Sequence, residues 1–580
     1  MAKKARKRAS FLPWEMTDFT LGKNSTAHKG NVLSKELTEL KNARPLARGG
    51  FSKRSGNDVV KNFGTTPITR MFELNGVKYI CQGTSLIKYS DGTIIKNDFA
   101  NTEFDIVVYA KKAYMVNGDE FYSFDGAIVS AVVAGTNDAF IANVRKCKYI
   151  ERRGSRFYAA GDPDNPDKMY VSEPKDPTVW QYSVTTKRAV TGLKEFHRAM
   201  LAFQEEEFIQ QWTGWDPATD VEFSDVASHK GALANRAIVG IENYLGYLAN
   251  DGYYILLGTD QNNINSVNVS KSILPDIKQL TNLDKACAIY HEGYLYIACC
   301  NDGTGVNNLL LVANVSMKYL NEFGEIQFPW AIDEGVKISD FFKEDRDLYM
   351  TSAEDGNVYK LNTAIYLDKR TTVTGEETGL LANDAEHTFV HGDLDSVYEE
   401  ISVQKSTDNV VWTDAIKNTD YELIETTSPI KLKNISGGDL YFKIDYKHGY
   451  PVRMEVKTKE LTIGKRFMEV KHSNIFVAAR QYTRSTTCNL SVRVDRIKQE
   501  FILNFNESVI SGVTVLGEGA ILGWLDDIVQ EVYEYEPTIG NHVEFTFKNE
   551  KNEPCTIYGV GGLYKPMNYK GTKFGVSVVS

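Results

Sequence analysis

From about Thr66 onward the chain alternates apolar and polar residues over short runs, and each run stops at a two-residue polar turn. Alternation with a period of two gives a strand one inward and one outward face, and Asn-Gly or Asp-Gly supplies the positive φ of a tight hairpin. ITRMFELNGVKYICQGTSLIKYSDG turns at Asn75-Gly76 and Asp91-Gly92, and IVVYAKKAYMVNGDEFYSFDG turns at Asn117-Gly118 and Asp125-Gly126. Each stretch predicts three or four short antiparallel strands. Related stretches follow as CKYIERRGSRFYAAGDPDNPDKMYVSEP, VTGLKEFHRAMLAFQEEEFIQQWTG, AIVGIENYLGYLANDGYYILLGT, ACAIYHEGYLYIACCNDG and ISDFFKEDRDLYMTSAEDGNVYKLN. Their spacing of about 40 to 55 residues is the period of propeller blades, and it predicts about seven of them.

The pattern therefore predicts an all-β protein, a β-propeller of about seven blades over residues 61–370 followed by a C-terminal β-sandwich region. Residues 1–60 lack the rhythm and read as a basic arm and lead-in segment, in which SKELTELKNAR predicts a short helix capped by Ser34. The polar, glycine-containing TTVTGEETGLL, Thr371 to Leu381, predicts a boundary. Residues 385–452 alternate as a sandwich-like insertion, and 453–580 supply closing strands. Two small β-units and one unit split by an insertion fit this pattern equally well.

Composition narrows the class. A chain of 580 residues exceeds what one core serves, so several packed units are expected. The 31 Tyr and 28 Phe against 15 Pro favour pleated surfaces. A net charge of -10 argues against a whole-surface polyanion binder and leaves only local basic patches. MAKKARKR is basic, but no apolar run of signal-peptide or membrane-helix length follows, so a soluble protein without an export signal is expected. Seven cysteines, at Cys81, Cys147, Cys287, Cys299, Cys300, Cys488 and Cys555, form no C-x-x-C pair and suggest neither a disulfide scaffold nor a zinc ribbon.

The constellations that could carry chemistry are weak. Asp162, Asp164 and Asp167 lack the glycine and late glutamate of a calcium loop and read as a rigid turn. His387 and His391, with Asp393 behind, have metal-ligand spacing only on a helix, and the flanking sequence reads as strand or loop. Ser406 to Thr413, STDNVVWT, resembles a single Asp-box turn with Trp412 beneath it. GVGGL at Gly559 to Leu563 lies between strands, so it has no helix N-terminus to offer a phosphate. No nucleophile elbow or Walker loop occurs. The expectation is a non-enzyme without cofactor or metal. QQWTGWDP, with Trp212 and Trp215, is the one candidate glycan platform, although aromatics at blade edges more often close a core or a subunit contact.

A family resemblance begins at Asp18 to Asn57, where Phe19, Gly22, Asn24, Leu33, Glu36, Leu37, Asn42, Arg44, Gly49, Gly50, Lys53, Arg54 and Gly56 match the lead-in segment of bacteriophage virion β-propeller proteins. AGDPDNPDKMYVSEPKDPTVW and VTGLKEFHRAMLAFQEEEFIQQW resemble blade segments of that family, and FTFKNEKNEPCTIYGVGGLYKP is similar to its closing strands. The resemblance is weakest over Glu386 to Val452. It implies a structural component of the virion neck or tail, a homo-oligomeric, hexameric ring that extends the portal channel like a nozzle for DNA passage. Its partners would be further copies of itself, portal, adaptor or other neck and tail proteins, and transiently viral DNA, with assembly in the bacterial host cytoplasm and no membrane. The alternative is a distal tail protein that binds host-surface glycan. In either case Arg44, Arg48, Lys53 and Arg54, clustered around Gly49-Gly50, are expected at an interface with carboxylates or phosphates. The competing reading of that cluster is a solvated turn before the first blade.

Overall fold

The computed structural model describes residues 12–28, 31–204, 208–214, 217–219, 223–226, 230–258, 263–392, 395–425, 429–462, 470–480, 486–505, 528–539 and 542–566. Two compact units emerge, one of residues 55–328 and 332–452, the other of 1–54, 329–331 and 453–580.

The larger unit holds a seven-bladed β-propeller. Five four-stranded antiparallel sheets follow one another over Ile68–Lys96, Asp105–Ala131, Tyr149–Thr185, Val190–Asp225 and Val239–Asn268. The sixth blade contains Cys287–His291, Tyr294–Cys299 and Leu309–Asn314. The seventh contains Ile338–Glu344, Asp347–Ser352 and Asn357–Asn362, and its outermost strand is Gly56–Asn62 from the other end of the sequence. The hairpin dipeptides sit where the pattern puts them: Asn75 and Gly76, at φ 53° and 77°, join the first two strands of the first blade, and Gly118 at φ 81° lies between strands of the second.

Blades are held by apolar clusters shared between neighbours, since each twisted sheet has two faces to bury. Leu74, Cys81 and Leu86 of the first blade meet Met115 and Phe124 of the second. Tyr114 and Phe121 of the second meet Phe157 and Trp180 of the third. Ile68, Met71 and Ile80 of the first blade pack with Tyr349 and Val358 of the seventh, which closes the ring. With Gly56–Asn62 paired to Asn357–Asn362, that closure joins residues about three hundred positions apart.

The expected boundary at Thr371 to Leu381 is instead part of one long strand, Leu367–Leu381, paired along its length with Leu440–Pro451. The strand forms because Val373 and Leu381 point inward and meet Phe389, Val403, Leu432, Phe442 and Tyr446, the core of a small two-sheet module. The insertion expected over 385–452 therefore begins earlier, at Leu367.

The smaller unit is a β-sandwich built from leading and closing segments of the sequence, so the described residues from Leu12 to Arg54 are part of a core and not a separate arm, while residues 1–11 lie outside the described residues. One sheet runs through Ala43–Pro45, Phe51–Lys53, Thr556–Pro566, Val470–Arg480 and Ile528–Ile539, with Leu12–Met16 on the Thr556–Pro566 strand. The other aligns Gly22–Lys23, Glu36–Lys41, Met454–Thr458, His542–Asn549, Thr487–Val494 and Ile497–Asn504. Phe19, Leu37, Leu40, Phe51, Val456, Val477, Leu490, Phe545, Phe547 and Ile557 fill the space between. The helix expected at SKELTELKNAR is the strand Glu36–Lys41, and Ser34 caps nothing. Helical propensity is worth tenths of a kcal/mol per residue, whereas a strand here gains a ladder on each side and buries Leu37 and Leu40 completely.

Candidate functional site

The four basic residues proposed for an interface do not form one exposed cluster. Only Arg48 is exposed, and Arg44 is half-buried, with its guanidinium donating to the Ala43 carbonyl. Lys53 is 3% exposed and Arg54 8%. The Lys53 ammonium donates to Asn549 Oδ1 at 2.6 Å and to the Lys551 carbonyl, and its backbone N–H donates to the Cys555 carbonyl. Arg54 Nε donates to Asn42 Oδ1 at 2.8 Å, while Asn42 Nδ2 donates to the Arg453 carbonyl. Lys53 thus joins the leading strands to the closing strands directly, and Arg54 does so through Asn42, a correction to their reading as partner-facing groups.

Between Arg48 and Lys53, Gly49 and Gly50 have φ of 87° and 75°. A Cβ on Gly50 would lie 2.3 Å from the Ile557 carbonyl oxygen, so the turn needs glycine both for its conformation and for this close approach.

The other sequence candidates are also structural. Trp212 is completely buried against Tyr158, with the Arg153 guanidinium 5.4 Å from its ring centre. It offers no face to a glycan, and Trp215 lies outside the described residues. Asp162 Oδ2 accepts hydrogen bonds from Asn143, Asn165 and the Tyr170 hydroxyl, and Oδ1 accepts the Asp164 N–H. His387 Nε2 lies 2.8 Å from Glu376 Oε1, and Glu376 also accepts the Val390 N–H and the Tyr446 hydroxyl. Asp393 lies outside the described residues, and among those described no group of three or more His, Cys, Asp or Glu could hold a metal ion. Asp408 caps its own turn through the N–H groups of Val410 and Val411, and Lys443 lies over the Trp412 ring. GVGGL is the middle of the strand Thr556–Pro566 rather than a connection between strands.

Asp162 is expected to make the third blade sensitive to acid. Burial works to raise its pKa, but the hydrogen bonds from Asn143, Tyr170, Asn165 and the Asp164 N–H outweigh it and hold the carboxyl below its ordinary value. A depressed folded-state pKa contributes stability in full above the unfolded value, and that contribution is lost as pH falls through the folded value. We expect Asp162→Ala to destabilise the protein by about 2 kcal/mol or more near neutrality, with the gap to the unsubstituted chain narrowing below about pH 4. Thermal melts across that range check it, and a gap that stays constant in acid would contradict the assignment.

A polar network that the sequence did not single out lies on the first strands of three blades and on the short 3-10 turn Asn235–Ala237. Arg70 of the first blade is 3.2 Å from Asp340 of the seventh and 3.6 Å from Asp105 of the second. Asp340 also accepts the Met71 N–H, and Asp105 accepts from the Ile150 N–H and Asn235 Nδ2. Arg236 donates to the carbonyls of Thr69 and Ser339. Burial opposes the Arg70 charge, yet Asp340 and Asp105 raise its pKa further, while burial pushes Asp105 up. Asn101, Asp105, Asn117, Lys148, Asn235 and Arg236 line a recess of about 360 Å³ beside this network. The signal available in the sequence was a charge near the start of a blade's first strand, set beside apolar residues, as in ITRMF, FDIVV and ISDFF.

Fold and site together define an all-β propeller protein whose conspicuous charges serve packing. No protein family's sequence profile matches this chain, and no curated protein sequence matches it. Among solved structures it is similar to BamB from Moraxella catarrhalis, at 11% identity and a TM-score of 0.32, over 55% of this chain and 92% of that one. YCF48 bound to D1 peptide matches at 11% identity and a TM-score of 0.34, over 53% and 95% of the two chains. Virginiamycin B lyase from Staphylococcus aureus matches at 10% identity and a TM-score of 0.34, over 52% and 96%. Among the described residues no helix is long and apolar enough to cross a membrane.

Proposed function

We propose that the protein is a non-catalytic structural component of a bacteriophage virion, a self-associating part of the neck or tail that extends the portal channel. The observation that supports this reading is the role of the residues that resemble the virion family. Phe19 and Leu37 are sandwich core, and Glu36 accepts from Asn24 Nδ2 and the Leu33 N–H. Gly22 at φ 72° passes so close to Trp330 that a Cβ would sit 2.8 Å from its backbone. Asn42, Gly50, Lys53 and Arg54 hold the sandwich as described, and a Cβ on Gly56 would meet the Leu367 carbonyl.

Such residues specify an architecture rather than a reaction, so the resemblance is one of construction, which suits an assembly component better than an enzyme. The net charge of -10 suits a channel wall from which DNA must slide freely. With Trp212 inside the core, no specific observation favours the glycan-binding alternative. Antibody-gold labelling and peptide mapping of purified particles test the proposal. Gold at the neck or tail is expected, and particles that lack the protein yet infect normally would refute it.

A further inference from the structure

The recess beside the Arg70 network is lined by Asp105, which opens the first strand of the second blade, by Asn117 and Gly118 of the same blade, and by Lys148 and Tyr149, where the third blade begins. Asn235 and Arg236 come from the short turn ahead of the fifth blade, and Asp284 from the turn ahead of the sixth. In a ring of seven, the second and third blades do not adjoin the fifth and sixth. Residues of both pairs therefore share one recess only at the middle of the propeller face on which the first strands begin.

Several of the polar groups here are already matched. Asp105 is offset by Arg70 and by Asn235 Nδ2, Glu103 by Lys285 at 3.9 Å, and Asn235 Oδ1 accepts the Leu193 N–H. Three donors are not. The Arg236 guanidinium commits only Nη1, to the carbonyls of Thr69 and Ser339 at 3.0 and 3.1 Å, so Nε and Nη2 meet no acceptor among the described residues. The Lys148 ammonium meets none among them either. Asn117 is 5% exposed, and its Nδ2 is buried without an acceptor, although its Oδ1 takes the N–H groups of Asp119 and Glu120. The charges left over are Lys148 and Arg236 against Asp284 alone, a local positive excess in a chain of net charge -10.

We propose that this recess binds a small oxyanion, a carboxylate or phosphate group carried by a molecule of metabolite size. The Nε and Nη2 edge of a guanidinium presents two parallel N–H donors that match two oxygens of such a group, and the Lys148 ammonium adds a second cation from another blade. The half-buried Tyr149 gives the carbon part of the ligand one aromatic wall. A volume of about 360 Å³ lies at the lower end of the roughly 300–1,000 Å³ that hold small molecules, and it is too small for a folded partner or a duplex. Asp284 opposes the anion, so removing its charge strengthens binding. The site concerns binding alone and does not depend on the virion reading.

Calorimetric titration of the full chain with sodium succinate and, separately, sodium phosphate, each against sodium chloride at matched ionic strength, tests the proposal. At least one of the two is expected to bind with a Kd on the order of 1 mM or tighter, and the tighter one tells carboxylate from phosphate. Lys148→Ala should weaken it about tenfold, and Asp284→Asn should tighten it about threefold. Both positions are exposed, so both variants keep the fold. Lys343→Ala, an equal change of charge at the far end of the seventh blade's first strand, should leave the affinity within about twofold. Arg236→Gln should abolish binding, and if it fails to fold, the two exposed variants still decide the matter. No saturable heat from either anion, or an affinity that Lys148→Ala and Lys343→Ala lower equally, would overturn the inference.

Discussion

Replacing Lys53 and Arg54 together by glutamate is expected to prevent the sandwich from folding, not merely to weaken an intermolecular contact. The Lys53 ammonium lies against two acceptors, Asn549 Oδ1 and the Lys551 carbonyl, and a carboxylate there would face oxygen with oxygen. Arg54 Nε fills the acceptor of Asn42, which in turn holds Arg453. Each hydrogen bond to a charged group is worth about 1.5–3 kcal/mol, and an uncompensated buried charge costs about 3–5 kcal/mol. Two such changes rival the whole stability of a domain, about 5–15 kcal/mol. Circular dichroism melts and soluble yield measure the effect. Arg48→Glu, at an exposed position, is the control and should stay within about 0.5 kcal/mol of the parent. A soluble double variant that melts like the parent would show that these buried contacts do not hold the fold.

Deleting residues 1–62 is expected to be equally damaging. The sandwich would lose Met16, Phe19, Leu37, Leu40, Ala43 and Phe51 from its core, and each large apolar side chain among them contributes about 1.5–3 kcal/mol by burial. The seventh blade would lose Gly56–Asn62 and leave Asn357–Asn362 as an open sheet edge, which invites aggregation. The truncated chain should be recovered as aggregate or should run as a broad, early-eluting species in size-exclusion chromatography. A monodisperse product with the parent's melting temperature would contradict the placement of the leading residues in both units.

The mistaken expectations share a cause. SKELTELKNAR carries good helix formers, and only its two ladder partners, Gly22–Lys23 and Met454–Thr458, make it a strand. Lys53 and Arg54 read as surface because long charged side chains are seldom fully buried, and the groups that make their burial affordable come from residues 42 and 549–551. Trp212 kept two readings, a platform and the closing of a core, because a tryptophan near the end of a strand looks the same whether its face is open or covered, and the structure shows the second. Its cover, Arg153 and Tyr158, belongs to the preceding blade.

What the sequence by itself determined is local: the all-β class, the blade period, and hairpins at Asn75-Gly76 and Asn117-Gly118. These follow from alternation over a few residues and from dipeptides that adopt positive φ cheaply, and neither depends on distant partners. The tertiary structure alone decided that Gly56–Asn62 closes the seventh blade and that strands from Leu12–Met16 onward share one sandwich with strands up to Thr556–Pro566. It alone brought Arg70 to Asp340. Each of these joins residues hundreds or tens of positions apart, and such pairings are fixed by which apolar faces can be buried together, a property of the assembled chain that no short stretch of it encodes.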